Sequence, residues 1–393
     1  MKPLILGPCD MRFVAERLGV PPAESALLPD SGGTNITNLA VAMVRRGIPF
    51  ELGTLSCGVR ADVREVRAGS VTLWVGRGRE RRRLRDAYRV ERRNIQRIIE
   101  KSGCDVVGAN WTYEYGLATV LQGRRPHVVT VHDSPGELLR LDGWRYLPHY
   151  VMAAFVIRKA RRLACVSPHV QEHIMRRWGR HAEVVPNVLP DVLPARSGDC
   201  GSGPVLCVGN DAPHKNVKRL IGAFGLWRQM PSRVTRNLRL KLVGPGLGCG
   251  GRIERWAAAN GLGADVEFAG KLGAGEVLSE TAKARLLVSP SLSESWSMVV
   301  AEAMSIGTPV LAAREAGGIR CLLDEDEAVL VSGLSEAAMA EGIRTVVDDV
   351  ERTRIRTAKA LRRAGEAFQP SAATDRMLSV LSAAADPENE RRQ

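Results

Sequence analysis

The stretch ARLLVSPSLSESWSMVVAEAMSIGTPVLAA, Ala284 to Ala313, decides how this chain is read. ARLLVSP is a short apolar run closed by proline and reads as a buried strand. SLSE has loop composition. WSMVVAEAMSI reads as a helix, Gly307 is suited to stop it, and PVLAA after Pro309 opens another buried strand. Strand, loop, helix and strand in so short a span form one unit of a parallel sheet covered by helices. The start of that helix carries two glutamates, Glu294 and Glu302, with seven residues between them.

Working outward, the same alternation fills the chain. PLIL, FELGTL, VTLWV, DVVGA, HVVTVH, RLACVS and AEVVPN read as strands before residue 190, and NITNLAVAMVRRG as a helix ending on glycine. Residues 189–204, rich in Pro, Gly and Ser, make the best linker. PVLCVGN, LRLKLVGPG, ADVEFAG, ARLLVSP, PVLAA and AVLVS then form a second set. The fold class is α/β, with two Rossmann-like domains expected over residues 1–195 and 196–369. A helix over 370–385 and a charged, disordered tail over 386–393 follow. Ligands of such sheets bind at the carboxyl ends of the strands, most naturally in a cleft between two domains.

Composition narrows the class. At 393 residues, 45% hydrophobic and 5% aromatic, the chain has material for two ordinary cores. No apolar run reaches about 18 residues, and the N-terminal one is too short for a signal peptide, so a cytoplasmic protein is expected. Eight cysteines are scattered without a C-x-x-C pair, which suggests neither a zinc site nor a disulfide framework. The net charge of +13 is concentrated: residues 60–101 hold 14 Arg and Lys against 6 Asp and Glu. Within them RGRERRRLRDAYRVERRNIQRI, Arg77 to Ile98, reads as one basic amphipathic helix with Leu84, Tyr88, Ile95 and Ile98 on its stripe. Such a helix is either a solvated face or a contact for an anionic membrane surface, which would place the protein peripherally at the inner face. No nucleic-acid signature accompanies the charge.

The two carboxylates pose a chemical question. Eight residues of helix would separate their backbones by roughly 12 Å, whereas retaining glycosidases hold a carboxyl pair at about 5 Å. The spacing suits a ligand with hydroxyls at both ends and an anion between. Carboxylates accept from vicinal hydroxyls, and the free amides around Ser297, Met298 and Val299 face the anion with the helix dipole behind them. A nucleoside diphosphate sugar has that layout.

The surrounding residues carry a resemblance. ESWSMVVAEAMSIGTPV is similar to the E-x7-E segment of the family-4 retaining glycosyltransferases, which have the two-Rossmann GT-B architecture. GGTNITNLAVAMVRRG, VVTVHD, CVSPHVQEHI, VVPNVLPD, LCVGNDAPHKNVKRLIGAF, LKLVGPG, VEFAGKL and AREAGGI resemble the family's other signposts and follow in its order. The resemblance implies a hexosyltransferase acting on a nucleotide-sugar donor, with no cofactor or metal, in surface polysaccharide, cell-envelope or glycoconjugate biosynthesis. It also implies that the C-terminal helix crosses back onto the first domain.

Roles carry over residue by residue. Glu302 would hold the donor ribose and Glu294 the sugar hydroxyls. Lys215, with Asn216 beside it, would neutralise the departing diphosphate. Gly32 and Gly33 would let backbone approach the donor, and His132 would touch the hexose. Asn110, Trp111, Tyr113 and Glu114 are the acceptor-side candidates, and Asn187 a turn brace. The implied mechanism is front-face attack with retention. The acceptor class stays open between a glycan, a lipid-linked molecule and a small molecule.

Three departures stand out: Asn210 and Asp211 occupy a place where arginine is frequent, Ser295 and Ser297 replace glycine, and Arg320 stands where an acid is common. His214 or Arg219 could supply the missing charge. The alternatives are a silent sugar-nucleotide or membrane-surface binding protein and a nucleotide-sugar epimerase.

Overall fold

The computed structural model describes residues 1–30, 32–59, 63–81, 83–196, 203–231 and 238–386. Residues 197–202 of the expected linker and 387–393 of the expected tail lie outside them. The chain clusters into two compact units. The first comprises Met1–Leu139, Trp144–Asp191 and the segment from Pro370 onward, and the second Arg140–Gly143 and Val192–Gln369.

The first unit is built on an eight-stranded sheet, ordered β3-β4-β2-β1-β5-β6-β7-β8. Its strands are β1 (Pro3–Leu6), β2 (Phe50–Ser56), β3 (Arg64–Ala68), β4 (Val71–Arg77), β5 (Val106–Asn110), β6 (His127–Val131), β7 (Arg162–Cys165) and β8 (Glu183–Val184). All neighbours pair parallel except β3 with β4. The helix Thr34–Arg45 buries Ile36, Leu39, Ala40 and Met43 in a core shared with Ile5, Leu52 and Leu73. The helix Pro370–Ala385 joins the same core through Met377, Val380 and Leu381, packing on Thr34–Arg45 and on β5 and β6. Asp375 there pairs with Arg46.

The second unit holds six parallel strands in the order β11-β10-β9-β12-β13-β14. They are β9 (Val205–Val208), β10 (Leu240–Val243), β11 (Val266–Gly270), β12 (Leu286–Ser289), β13 (Val310–Ala313) and β14 (Val329–Val331). Their inward side chains form a second core with Leu220, Phe224, Ile343 and Val347. Near-continuous apolar strands are what a sheet covered on both faces requires. The architecture is therefore two α/β units with parallel sheets.

Strand order reverses direction at β1/β5 in the first unit and at β9/β12 in the second. At these switch points the loops leaving adjacent strands run to opposite faces of the sheet and open a crevice at the carboxyl ends.

The basic run departs from its sequence reading. Arg77 ends β4, a short 3-10 turn covers Arg83–Asp86, and the helix is Arg89–Lys101. Ala87 and Tyr88 have positive φ, which no helix tolerates. Arg79 causes the break: its guanidinium grips Asp86 at 2.8 Å and Glu91, wholly buried, at 2.7 Å. Tyr88, Ile95, Ile98 and Ile99 are buried, and the helix packs on β2, β4 and the helix Glu114–Gln122. Leu84 is exposed but lies outside the helix. The apolar stripe thus serves the core and does not face a membrane. Arg82 lies outside the described residues.

Candidate functional site

In the second unit the site grows from the loops after β9 and β12. After β9 the backbone runs through Gly209 to a 3-10 turn at Pro213–Lys215. After β12 it runs from Pro290 to the helix Met298–Ile306, with Ser297 at the position just before its first turn. The two loops are tied by Leu292 N–H donating to His214 O at 2.8 Å. Asn216 sits in the left-handed region (φ 58°), and its Nδ2 donates to Pro290 O at 3.0 Å and Gly333 O at 2.7 Å. Asn216 is a clamp that sets where its neighbour Lys215 points.

Lys215 Nζ donates to Glu294 Oε1 at 2.7 Å, both side chains being largely enclosed. Two residues far apart in sequence are thus one ion pair at the switch point. Glu294 is fixed from behind. Gly318 N–H donates to its carbonyl at 2.8 Å, and a Cβ on Gly318 would stand 2.3 Å from that oxygen. The second glycine of AREAGGI is explained by this approach. Trp296 is buried and meets Phe368 edge to face.

The helix starts at Met298, two residues later than the run WSMVVAEAMSI suggests, so Glu302 is its fifth residue, little more than one turn in. Glu302 is 6% exposed, and burial pushes its carboxyl up to about 8. Ser297 makes no side-chain capping bond, so the first-turn amides at Met298 and Val299 remain donors for another acceptor.

The loops read as departures have local partners. Asn210 Oδ1 accepts from Ala212 N–H at 3.0 Å, and Asp211 pairs with Arg252 at 3.0 Å. His214 is held by Asp142 of the same unit at 2.9 Å, and Arg219 bonds Asn216 and Gly333. His214 is thus committed to a carboxylate, whereas both bonds of Arg219 go to neutral oxygens, so its charge is not neutralised by them. Arg320 is exposed at the end of the helix Gly317–Arg320.

In the first unit the switch point is neutral and aromatic. His132 follows β6, and its Nε2 lies 2.9 Å from Asn110 Oδ1. Asn110 donates its own Nδ2 to Leu6 O at 3.1 Å, which turns the amide oxygen toward the histidine. The imidazole is therefore the Nε2–H tautomer, with Nδ1 left as an acceptor. Trp111, at φ 65°, stacks on the ring at 4.1 Å. Burial pushes His132 down to about 3, so the ring is uncharged at neutral pH.

Asn110, expected at the acceptor, is instead buried and orients His132. Gly32 also has a structural reason, because a Cβ there would stand 2.3 Å from the Cys9 backbone. Gly33 caps the helix Thr34–Arg45, with Trp111 beside it. Tyr113 donates to Asp133 at 2.9 Å and is hydrogen-bonded to Tyr146, while His149 packs edge-on against its ring at 4.8 Å. Burial raises both the Tyr113 hydroxyl and the Glu114 carboxyl. Asn187 keeps Oδ1 buried with no hydrogen-bond partner among the described residues. Sequence reasoning missed Asp133, Tyr146, His149 and Gly318; Asp133, inside VVTVHD, and Gly318, inside AREAGGI, had a local signal. Among the described residues no group of three His, Cys, Asp or Glu is placed to hold a metal ion.

Comparison with known proteins gives this geometry its context. Residues 32–190 match the family described as Glycosyltransferase Family 4, and residues 202–365 the one described as Glycosyl transferases group 1. The chain belongs to the GT-B glycosyltransferases of family 4. It is a transferase enzyme. An uncharacterized glycosyltransferase of Methanocaldococcus jannaschii is 26% identical over 68% of this chain and 71% of its own. The D-inositol 3-phosphate glycosyltransferase of Corynebacterium glutamicum is 30% identical over 47% of this chain, and the match spans 44% of that relative. Among solved structures, the sucrose-phosphate synthase of Thermosynechococcus elongatus superposes with a TM-score of 0.76 at 19% identity, covering 97% of this chain and 98% of that one. Anabaena HepE, crystallised with UDP and glucose, gives 0.70 at 20% identity over 98% and 100%. At such identity these two structures speak for the GT-B fold.

Proposed function

We propose that this glycosyltransferase moves a hexose from a nucleoside diphosphate sugar to an acceptor hydroxyl, with retention of configuration and without a metal. The observation that carries the reading is the Lys215–Glu294 pair at the β9/β12 switch point, with Glu302 buried in the adjoining helix. Lys215 is the cation for the leaving diphosphate. Its place is fixed before reaction by Glu294 and the Asn216 clamp, so stabilising the growing charge needs little reorganisation. The amides of Met298 and Val299 add donors on the same anion. Glu294 keeps its second oxygen for a sugar hydroxyl.

Glu302 takes the ribose. Alone it is a neutral acid at pH 7; two vicinal hydroxyls donating to it would favour the carboxylate. His132 accepts a hexose hydroxyl at Nδ1, and its low basicity keeps it from competing with the acceptor for protons. Gly33 keeps the backbone beside Trp111 free of a side chain, and Gly32 lets the loop pack against the Cys9 backbone. Tyr113, with Asp133 behind it, and Glu114 are the acceptor-side groups. The ligands of HepE support a nucleotide-sugar donor. The inositol phosphate named in the curated relatives supports a small-molecule hydroxyl as acceptor, within a class that includes glycans and lipid-linked molecules.

Calorimetric titration of UDP, GDP and ADP into wild type and Glu302→Ala tests this. One diphosphate should bind clearly best, and Glu302→Ala should weaken it about 10- to 150-fold. Binding of none, or equal binding by the variant, would overturn the reading.

A further inference from the structure

The structure points to a membrane-docking face on the first unit: we propose that the helix Leu147–Lys159, with Trp144 before it, lies in the headgroup region of an anionic bilayer. This is separate from the basic run read in the sequence, whose apolar stripe is buried, and it does not depend on which acceptor the enzyme uses.

The helix, LPHYVMAAFVIRK, is apolar on two faces. Met152, Ala153, Val156 and Ile157 are buried, and the helix packs on the helices Glu114–Gln122 and Pro168–Trp178. Leu147, Val151 and Phe155 are 48%, 58% and 39% exposed. A spacing of four advances about 40° around a helix, so the three form one outward ridge. Trp144, in the turn before it, is 80% exposed. A surface helix typically carries polar residues on this face.

Charge selects the occupant. The helix has no acidic residue, and exposed Arg145, Arg158 and Lys159 flank the ridge at its two ends. Arg177 of the neighbouring helix is exposed as well, its guanidinium over the Tyr150 ring. Long cationic stems reaching up from an apolar ridge, with a tryptophan at one end, match the boundary between acyl chains and acidic headgroups. A second copy would set these same cations against themselves across a two-fold interface, in a chain whose net charge is already +13.

The test is flotation of the intact protein with vesicles of mixed phosphatidylglycerol and phosphatidylcholine, against pure phosphatidylcholine. Wild type should float with the mixed vesicles alone and be released by salt. Brominated lipid should quench a component of the tryptophan emission that Trp144→Phe removes. The double variant Val151→Asp/Phe155→Asp should lose at least about tenfold in partitioning, with its melting curve confirming that it folds. Arg89→Ser/Arg93→Ser, on the other basic helix, should float like wild type. Failure to float, absence of Trp144 quenching, or loss of binding only in the Arg89/Arg93 variant would each overturn the proposal. So would a change of sedimentation in Val151→Asp/Phe155→Asp from dimer to monomer without any lipid binding.

Discussion

The two units place different chemistry at the same topological position. At β1/β5 the first unit presents an uncharged imidazole, oriented by Asn110 and stacked under Trp111. At β9/β12 the second presents an ammonium against a carboxylate, with another carboxyl buried beside them. A neutral, stacked wall suits hydroxyls of a sugar. An ion pair beside open helix amides suits phosphate. The Rossmann-like sheet supplies the location, and the loops decide the charge.

Substitutions can break this comparison unevenly. The largest effect is expected for Lys215→Ala, which removes the cation for the leaving group and leaves Glu294 enclosed without its partner. Turnover should fall about 10²- to 10³-fold or more, read by steady-state release of nucleoside diphosphate.

Glu302 should show both a binding and a stability effect. Its folded carboxyl titrates near 8, while in the unfolded chain glutamate titrates near about 4.3. Between those values the folded state keeps a proton that the unfolded state has lost, so stability falls as pH rises, by up to about 1.4 kcal/mol per unit. Glu302→Gln should flatten the melting temperature from pH 5 to 9 and be the more stable protein at pH 9. Because ribose favours the carboxylate, wild-type nucleotide affinity should rise between pH 6 and 8.5. Identical melting profiles of wild type and Glu302→Gln would contradict the buried acid.

In the first unit, Asn110→Ala removes the group that fixes the imidazole tautomer. Its kcat should drop about tenfold to a hundredfold, with the diphosphate affinity unchanged. The smallest effect is expected for Tyr113→Phe, which takes a donor from Asp133: a stability loss of about 1 kcal/mol in denaturant melts and a few-fold rise in the acceptor KM.

Much of the fold was legible because parallel strands buried on both faces read as short apolar runs, and each expected run holds a strand. The strand β3, REVRA, was not. It is a polar edge strand with only Val66 buried, pairing antiparallel to β4, and lacks the apolar signature. The arginine run misled for a related reason. Composition gives a helical stripe but cannot show that Arg79 reaches Asp86 and Glu91 and bends the chain between them. At the site, Lys215 and Glu294 stood out separately, each on its own loop. Their pairing across 79 residues is a property of strand order. Asn110 and Gly318 act on a neighbour brought close by the sheet, so the residues beside them in the sequence do not reveal those roles.

The most direct test of the division of labour is one titration, repeated on wild type, Lys215→Ala, Glu302→Ala and His132→Ala with the diphosphate that wild type binds best. The account predicts that the first two variants lose affinity at least about tenfold and that His132→Ala binds like wild type while losing turnover. Affinity lost equally in His132→Ala, or retained in Lys215→Ala, would contradict it.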